Sequence, residues 1–117
     1  IHFDAHLYFV DGRHGVRYGH GNPLRRASEI NHVVGMTQMG IRNVSSSNRD
    51  DYEAAHAAGS KILSVRDVRR LGVDGVLALI PQNINYYITI DIDGFDPSIA
   101  PGTGTPSHGG FLYYEVL

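Results

Sequence analysis

Residues 86–93 read Tyr-Tyr-Ile-Thr-Ile-Asp-Ile-Asp, an aromatic and β-branched run that leads directly into two carboxylates. Such residues fit a pleated, buried surface, so the run predicts a strand over residues 86–92. Side chains two positions apart in a strand point to the same side, which would bring Asp91 and Asp93 together and turn Ile92 away. Two adjacent carboxylates repel each other and are costly to bury, so the pair favours a divalent cation site.

The start of the sequence has the same form. Residues 1–3, Ile-His-Phe, predict a short strand that leads into Asp4, Ala5 and His6. If the chain stays extended, Asp4 and His6 converge just beyond the strand end, where ligands of open α/β sheets usually bind. One such pair alone is more often a turn or a helix cap, but two pairs at two strand ends favour a metal site. An imidazole with three carboxylates suits manganese or iron better than structural zinc.

Strands and helices alternate between these two segments. Strands are predicted over residues 36–41 and 61–64, and helices over residues 23–31, 50–58, 65–80 and from about residue 110. Ser64 is a candidate N-cap residue, and Gly59 is a candidate C′ residue. The alternation predicts an α/β fold with three layers, α/β/α, around a mostly parallel sheet. No domain boundary is visible within residues 1–117.

Composition limits the possible partners. The net charge is −2, and there is no basic excess that would favour nucleic acid or an anionic membrane surface. Cysteine is absent, so any metal would be held by histidines and carboxylates. The absence of cysteine fits a cytoplasmic protein. No apolar run approaches a membrane span and no signal peptide is visible.

Several segments together resemble the signatures of the ureohydrolases, the family of arginase and agmatinase. Residues 1–6, Ile-His-Phe-Asp-Ala-His, are similar to the family segment that carries Asp-Ala-His-x-Asp metal ligands. Residues 88–98, Ile-Thr-Ile-Asp-Ile-Asp-Gly-Phe-Asp-Pro-Ser, resemble the second family signature, and the run Ala-Pro-Gly-Thr-Gly-Thr-Pro at 100–106 continues it. Residues 18–26, Tyr-Gly-His-Gly-Asn-Pro-Leu-Arg-Arg, are similar to the loop around the catalytic histidine of agmatinase-like members.

The resemblance implies an arginase-like fold that hydrolyses a linear, agmatine-like guanidine compound to urea and an amine. It implies that Asp4 and Asp91 bridge two Mn²⁺ ions, and that His6 and Asp93 complete the second of the two sites. A hydroxide held between the metals would attack the guanidinium carbon, and His20 would carry a proton to the leaving amine. The alternative for His20 is a loop histidine that binds the backbone. The family also implies a homo-oligomer when full length.

One position departs from the family pattern. Tyr8 stands where the family has a third ligand, an aspartate, and a neutral phenol replaces a hard anionic ligand poorly. The chain opens on a strand without Met and ends on an apolar segment, so we expect the central part of a longer domain. The upstream metal histidine of the family would then precede Ile1, and its guanidinium-binding glutamate would follow Leu117.

Taken alone, the chain is therefore expected to bind one divalent ion weakly at best and to hydrolyse guanidines very poorly. The alternative function is that of a non-catalytic homologue that serves as a binding or oligomer subunit. A metal-dependent phosphoesterase would not explain the Gly-Phe-Asp-Pro run. Two other residues also have expected roles. Asp96, which precedes a proline, is expected to bind nearby backbone amides, and Arg42 could either meet the far end of a substrate or cap the surface.

Overall fold

Four short parallel strands form the centre of the fold in the computed structural model, which describes all residues 1–117. The strands are β1 (His2–Phe3), β2 (Met36–Met39), β3 (Ser60–Leu63) and β4 (Thr89–Ile90), and the helices are α1 (Pro23–Ala27), α2 (Arg49–Ala57), α3 (Val65–Leu77) and α4 (Tyr113–Val116). The strand order is β3-β2-β1-β4, and every neighbouring pair is parallel. The predicted α/β fold with a parallel sheet is confirmed.

Two buried apolar clusters pack the helices onto the sheet. The first joins the end of β2 to α3 and the segment before α4, through Met39, Val65, Val76, Ile80 and Phe111. The second joins the chain after β1 to α2, through Leu7, Phe9, Ile41 and Ala55. Because these clusters exclude water from both sides of the segment after β1, polar side chains in that segment are also buried.

Side-chain caps begin the two longest helices. Asn48 accepts a hydrogen bond from the amide of Asp51, whose carboxylate accepts from the amide of Asn48 in return. Ser64 and Asp67 form the same reciprocal pair at the start of α3, as the sequence predicted for Ser64. The helix α2 ends before Gly59, which has φ of +79° and so takes the predicted C′ role. None of the helices combines the length and apolarity that a membrane span requires.

Strand β2 ends where the chain approaches β1 closely. Gly40 has φ of +96°, and a Cβ atom there would lie 2.8 Å from the carbonyl oxygen of Asp4 and 2.8 Å from Cε2 of Phe111. Only glycine combines that backbone conformation with that space. The predicted strand over residues 36–41 is therefore too long by two residues, and the close approach brings Arg42 beside the segment after β1.

The strand predicted over residues 86–92 is much shorter, spanning only Thr89–Ile90. Strand β4 lies at the edge of the sheet and pairs only with β1, which itself has two residues, so the ladder can extend no further. After Ile90 the chain turns into a single 3-10 turn at Ile92–Gly94. High β-propensity alone does not make a strand where no partner continues the pairing.

Two helices also differ from their predicted lengths. The helix α1 ends at Ala27 rather than residue 31, because the hydroxyl of Ser28 donates to the carbonyl of Arg25 and the next amides form tighter turns. The helix α3 passes Gly72 as predicted, but Gly72 is non-helical, with φ of +66° and ψ of 178°. Its apolar stripe therefore belongs to two short helices that meet at a kink.

Candidate metal centre

The segment after β1 carries two buried side chains that face one point. Asp4 and His6 are only 1 % and 6 % exposed. The amide of Asp4 donates to the carbonyl of Met39, which keeps this segment beside the end of β2. The amide of His6 donates to Oδ1 of Asp4 at 2.6 Å, so the backbone itself orients the carboxylate. The two side chains converge as the sequence predicted, but the chain bends at Ala5 and does not stay extended.

Asp93 reaches the same point from the neighbouring strand. Strands β1 and β4 are parallel, and Phe3 pairs with Ile90. The residues that follow the two strands therefore meet at the carboxyl end of the sheet. The carboxylate of Asp93 accepts from the amide of Ala5 at 3.2 Å and from the hydroxyl of Thr105 at 2.8 Å. Asp93 is 1 % exposed. These two donors fix a buried carboxylate against the segment after β1.

The two carboxylates and the imidazole form a compact set of ligand atoms. One ligand atom from each of Asp4, His6 and Asp93 lies within 4.8 Å of the other two. The Nδ1 atom of His6 is 3.1 Å from Oδ2 of Asp93 and 3.3 Å from Oδ1 of Asp4. Although both oxygens are near, this buried nitrogen makes no hydrogen bond of acceptable geometry. Such an arrangement fits three ligands that point at a common cation better than a protonated imidazole between acceptors.

The chemistry of these donors fits Mn²⁺. Two buried carboxylates beside each other are costly without a positive charge. Carboxylate oxygens with one imidazole are ligands that manganese accepts, whereas structural zinc sites favour cysteine and histidine. The three residues present therefore suit the metal that the family resemblance implies.

Asp91, the fourth predicted ligand, lies outside this set. The sequence placed it beside Asp93 on an extended chain, and that local geometry is wrong because the chain turns at Ile92. The carboxylate of Asp91 instead accepts from the amide of Asp93 at 3.1 Å and begins the 3-10 turn. It is half-buried and lines a large cavity that also reaches Asp4. Its role as a metal ligand stays a prediction.

His20, the predicted catalytic residue, lies on the same cavity. Its side chain is exposed on the loop before α1 and lines the cavity together with Asp4, Tyr8 and Asp91. The loop is anchored by Asn22, whose side chain accepts from the amide of Gly19 and donates to the carbonyl of Val10. The catalytic role of His20 stays a prediction.

Tyr8 occupies the edge of the candidate centre in a left-handed conformation, with φ of +54°. Its ring centroid lies 5.9 Å from that of His2 and 5.8 Å from that of His6. Burial raises the pKa of the Tyr8 phenol, and the charges of Asp4, Asp91 and Asp93 raise it further. In the metal-free protein the phenol is therefore neutral, unlike the aspartate that the family pattern has at this position.

Arg42 joins the backbone segments that surround the candidate metal centre. Its guanidinium donates to the carbonyls of Asp93 at 2.7 Å, Gly40 at 3.0 Å and His108 at 3.0 Å, and also contacts Ser107. One side chain thus joins the end of β2 to the two ends of the loop after Asp93. Sequence reasoning left Arg42 as a substrate contact or a surface cap, and neither matches these contacts.

Replacement of Arg42 by lysine is expected to destabilise the protein by roughly 2 kcal/mol, because the lysine ammonium cannot donate to all the carbonyls that the planar guanidinium reaches. Mn²⁺ affinity should fall as well, since the carbonyl of Asp93 loses its donor. Thermal unfolding and calorimetric titration measure the two effects. The control is Arg49→Lys at a side chain that is 88 % exposed and pairs only with Glu53. Wild-type stability of the Arg42 variant would contradict the bracing role.

Asp96 has the structural role that the sequence predicted. Its carboxylate accepts from the amides of Ser98 at 3.0 Å, Gly109 at 2.8 Å and Gly110 at 3.1 Å. These bonds, with that to Ser98 first, hold the pKa of Asp96 well below its usual range. Asp96 therefore closes the loop over residues 97–108 and is not among the converging ligand atoms.

Comparisons with known proteins agree with the family resemblance. The sequence profile of the arginase family matches residues 1–117. Proclavaminate amidinohydrolase of Streptomyces clavuligerus is 36 % identical over 122 residues, and its solved structure superimposes with a TM-score of 0.78 over 98 % of this chain. The chain covers 39 % of that relative's length.

Two further solved structures are similar. The agmatine ureohydrolase of Thermoplasma volcanium has a TM-score of 0.77 and 30 % identity over 98 % of this chain, which covers 39 % of it. A triple mutant of an arginase-like protein of T. brucei, bound with Mn²⁺, has a TM-score of 0.67 and 25 % identity. That match covers 98 % of this chain and 34 % of the other.

Proposed function

Because this chain belongs to the arginase family, we propose that its protein hydrolyses a linear guanidine compound to urea and an amine, with Mn²⁺ as cofactor. The proposal rests on one observation: the buried side chains of Asp4, His6 and Asp93 converge at the carboxyl end of the sheet. The chain spans 39 % of the length of proclavaminate amidinohydrolase and 38 % of that of guanidinopropionase, so the activity concerns the whole protein that contains it.

Asp4, His6 and Asp93 would hold the metal, with Asp91 as the next candidate at the cavity wall. A bound Mn²⁺ would act as a Lewis acid that activates water for attack on the guanidinium carbon. The T. brucei triple mutant supports this assignment, because the side chains introduced into that Mn²⁺-bound protein are Asp, His and Asp, two of them two positions apart. Asp4 and His6 have that same spacing.

The protein's own residues would bind the substrate and move the proton. The cavity, of about 1090 Å³, is lined by Asp4 and Asp91 and by the aromatic rings of Tyr8, Tyr86 and Tyr87. No lysine or arginine lines it. A wall with carboxylates and aromatic faces attracts cations, and both ends of an agmatine-like molecule are cationic. Because no arginine or lysine side chain on this wall could neutralise a substrate carboxylate, we propose an agmatine-like substrate.

Urea release from the full-length protein with Mn²⁺ tests this proposal. Agmatine and 4-guanidinobutyrate form a matched pair, since they differ chiefly in an amine against a carboxylate. We expect kcat/KM to favour agmatine by on the order of 100-fold, because a like-charge contact costs several kcal/mol. A preference for the carboxylate would contradict the substrate class, and no urea from any guanidine would refute the hydrolase proposal.

His20 is proposed to supply a proton to the leaving amine nitrogen as the C–N bond breaks. We expect His20→Asn to lower kcat by about 10²–10⁴-fold, the usual range for loss of a general acid. Mn²⁺ affinity should be unchanged, because His20 is not among the converging ligand atoms. His32→Asn is the matched control, since His32 is also an exposed histidine that lines the cavity. Equal losses of kcat in both variants would contradict the specific role of His20.

A second candidate function follows from Tyr8. A neutral phenol in place of an anionic ligand favours either impaired hydrolysis or a non-catalytic homologue that serves as a binding or oligomer subunit. In either case we propose a homo-oligomer in the cytoplasm, by analogy with the family. A protein that binds Mn²⁺ yet releases no urea would support the non-catalytic candidate.

A further inference from the structure

A buried chain of polar side chains crosses the sheet and ends at the candidate metal centre. The hydroxyl of Ser60 on β3 donates to Oε1 of Gln38 on β2 at 2.6 Å. Nε2 of Gln38 lies 3.3 Å from Nδ1 of His2 on β1, and Nε2 of His2 lies 3.0 Å from Oδ2 of Asp4. All four residues are at most 5 % exposed. The packing of an apolar core does not need a row of four polar side chains linked across three strands.

The direction of each hydrogen bond follows from the partners. The amide nitrogen of Gln38 also donates to the carbonyl of Leu7 at 2.9 Å, and a carbonyl can only accept. This contact fixes which end of the Gln38 amide faces His2, so Nδ1 of His2 must accept. The proton of the neutral imidazole then resides on Nε2, which donates to Asp4. Ser60 holds the other end of the same amide.

We propose that His2 is a positioning residue of the metal centre, acting through Asp4 and held in one tautomer by Gln38 and Ser60. The inference rests on the proposed function insofar as Asp4 is a metal ligand. Nε2 of His2 donates to Oδ2 of Asp4, and the amide of His6 donates to Oδ1. Both carboxylate oxygens of Asp4 thus accept a hydrogen bond. These two hydrogen bonds therefore orient the carboxylate of Asp4 before a metal ion binds. Loss of such outer partners typically weakens metal binding by about 10–100-fold.

A matched pair of substitutions separates the donor from the bulk of the ring. In His2→Gln the side-chain amide reaches the place of Nε2 and can still donate to Asp4. In His2→Asn the amide reaches only the place of Nδ1, so the contact with Gln38 remains and the donor to Asp4 is lost. His56→Gln and His56→Asn, on the exposed face of α2, are the control pair.

The readouts are the Mn²⁺ dissociation constant from calorimetric titration of the full-length protein and the thermal midpoint without metal. We expect His2→Asn to weaken Mn²⁺ binding at least about tenfold and His2→Gln to stay within about threefold of wild type. The two variants should have similar metal-free midpoints. Equal affinities in the two variants, whether weakened or not, would overturn the inference, because the retained donor would then make no difference.

A measurement on the unmodified protein keeps the inference testable even if both variants fail to fold. Nitrogen-15 NMR of labelled histidine distinguishes the two neutral tautomers, and the His2 ring should carry its proton on Nε2. A proton on Nδ1 would overturn the inference. The binding contrast does not depend on urea release, so a protein that shows the contrast but hydrolyses no guanidine refutes only the hydrolase proposal. A protein that releases urea without the contrast refutes only the role of His2.

Discussion

Replacement of Asp93 by asparagine is expected to weaken Mn²⁺ binding by more than about 100-fold, beyond the loss typical of outer partners. Asparagine keeps the size and can still accept from Ala5 or Thr105, but it removes one of the negative charges that attract the cation. The metal-free protein should be no less stable, because the variant also removes a buried charge that faces Asp4. Calorimetric titration and metal-free unfolding measure the two quantities together.

The combination of weaker metal binding with undiminished metal-free stability is diagnostic of a ligand. A carboxylate retained for stability would show the reverse pattern on substitution. The control is Asp74→Asn, which changes an exposed carboxylate on α3 and should alter neither quantity. Wild-type Mn²⁺ affinity in the Asp93 variant would remove it from the metal centre and, with it, the main support for the proposed function.

Tyr8→Asp is expected to have the largest effect in the opposite direction. In the full-length protein, bound Mn²⁺ should rise from about one to about two ions per chain, because a carboxylate replaces a neutral phenol among Asp4, Asp91 and Asp93. Urea release should rise at least about tenfold, since the hydrolytic chemistry uses the metal charge. Metal analysis and steady-state kinetics measure both changes.

The backbone at Tyr8 should not oppose this change. Its φ of +54° lies in the left-handed region, where aspartate and asparagine are several-fold more frequent than most residues. Tyr8→Asn is therefore the matched control, because it has the same backbone preference and size without the charge. If both variants still bind one ion, the non-catalytic candidate gains support. If both variants bind two ions, the size of the Tyr8 ring, rather than its lack of charge, prevents binding of the second ion.

Local patterns in the sequence predicted what depends on near neighbours. The convergence of Asp4 and His6, the cap at Ser64 and the turn at Asp96 each involve contacts within a few residues or a single recognisable turn. The long strand over residues 86–92 was wrong because strand length depends on a partner, and β1 offers two residues. Propensity contains no information about that partner.

The site was predictable only in part for the same reason. His2 alternates with Asp4 and His6, so period-two reasoning could have included it, but its partner Gln38 is 36 positions away. The role of Arg42 depends on carbonyl groups, which have no sequence signature at all. Asp91 was placed from an extended geometry that the 3-10 turn interrupts. These outcomes depend on a distant side-chain partner, on distant carbonyl groups and on a local turn, respectively.

The bracing by Arg42 has a consequence for how this protein can vary. Its guanidinium holds the carbonyls of Asp93 on one side and of Ser107 and His108 on the other. A loop pinned at both ends can change in length and sequence at small entropic cost without moving its anchors. Residues 99–104 can therefore vary in length and sequence while Asp93, at the base of the loop, keeps its position beside Asp4 and His6.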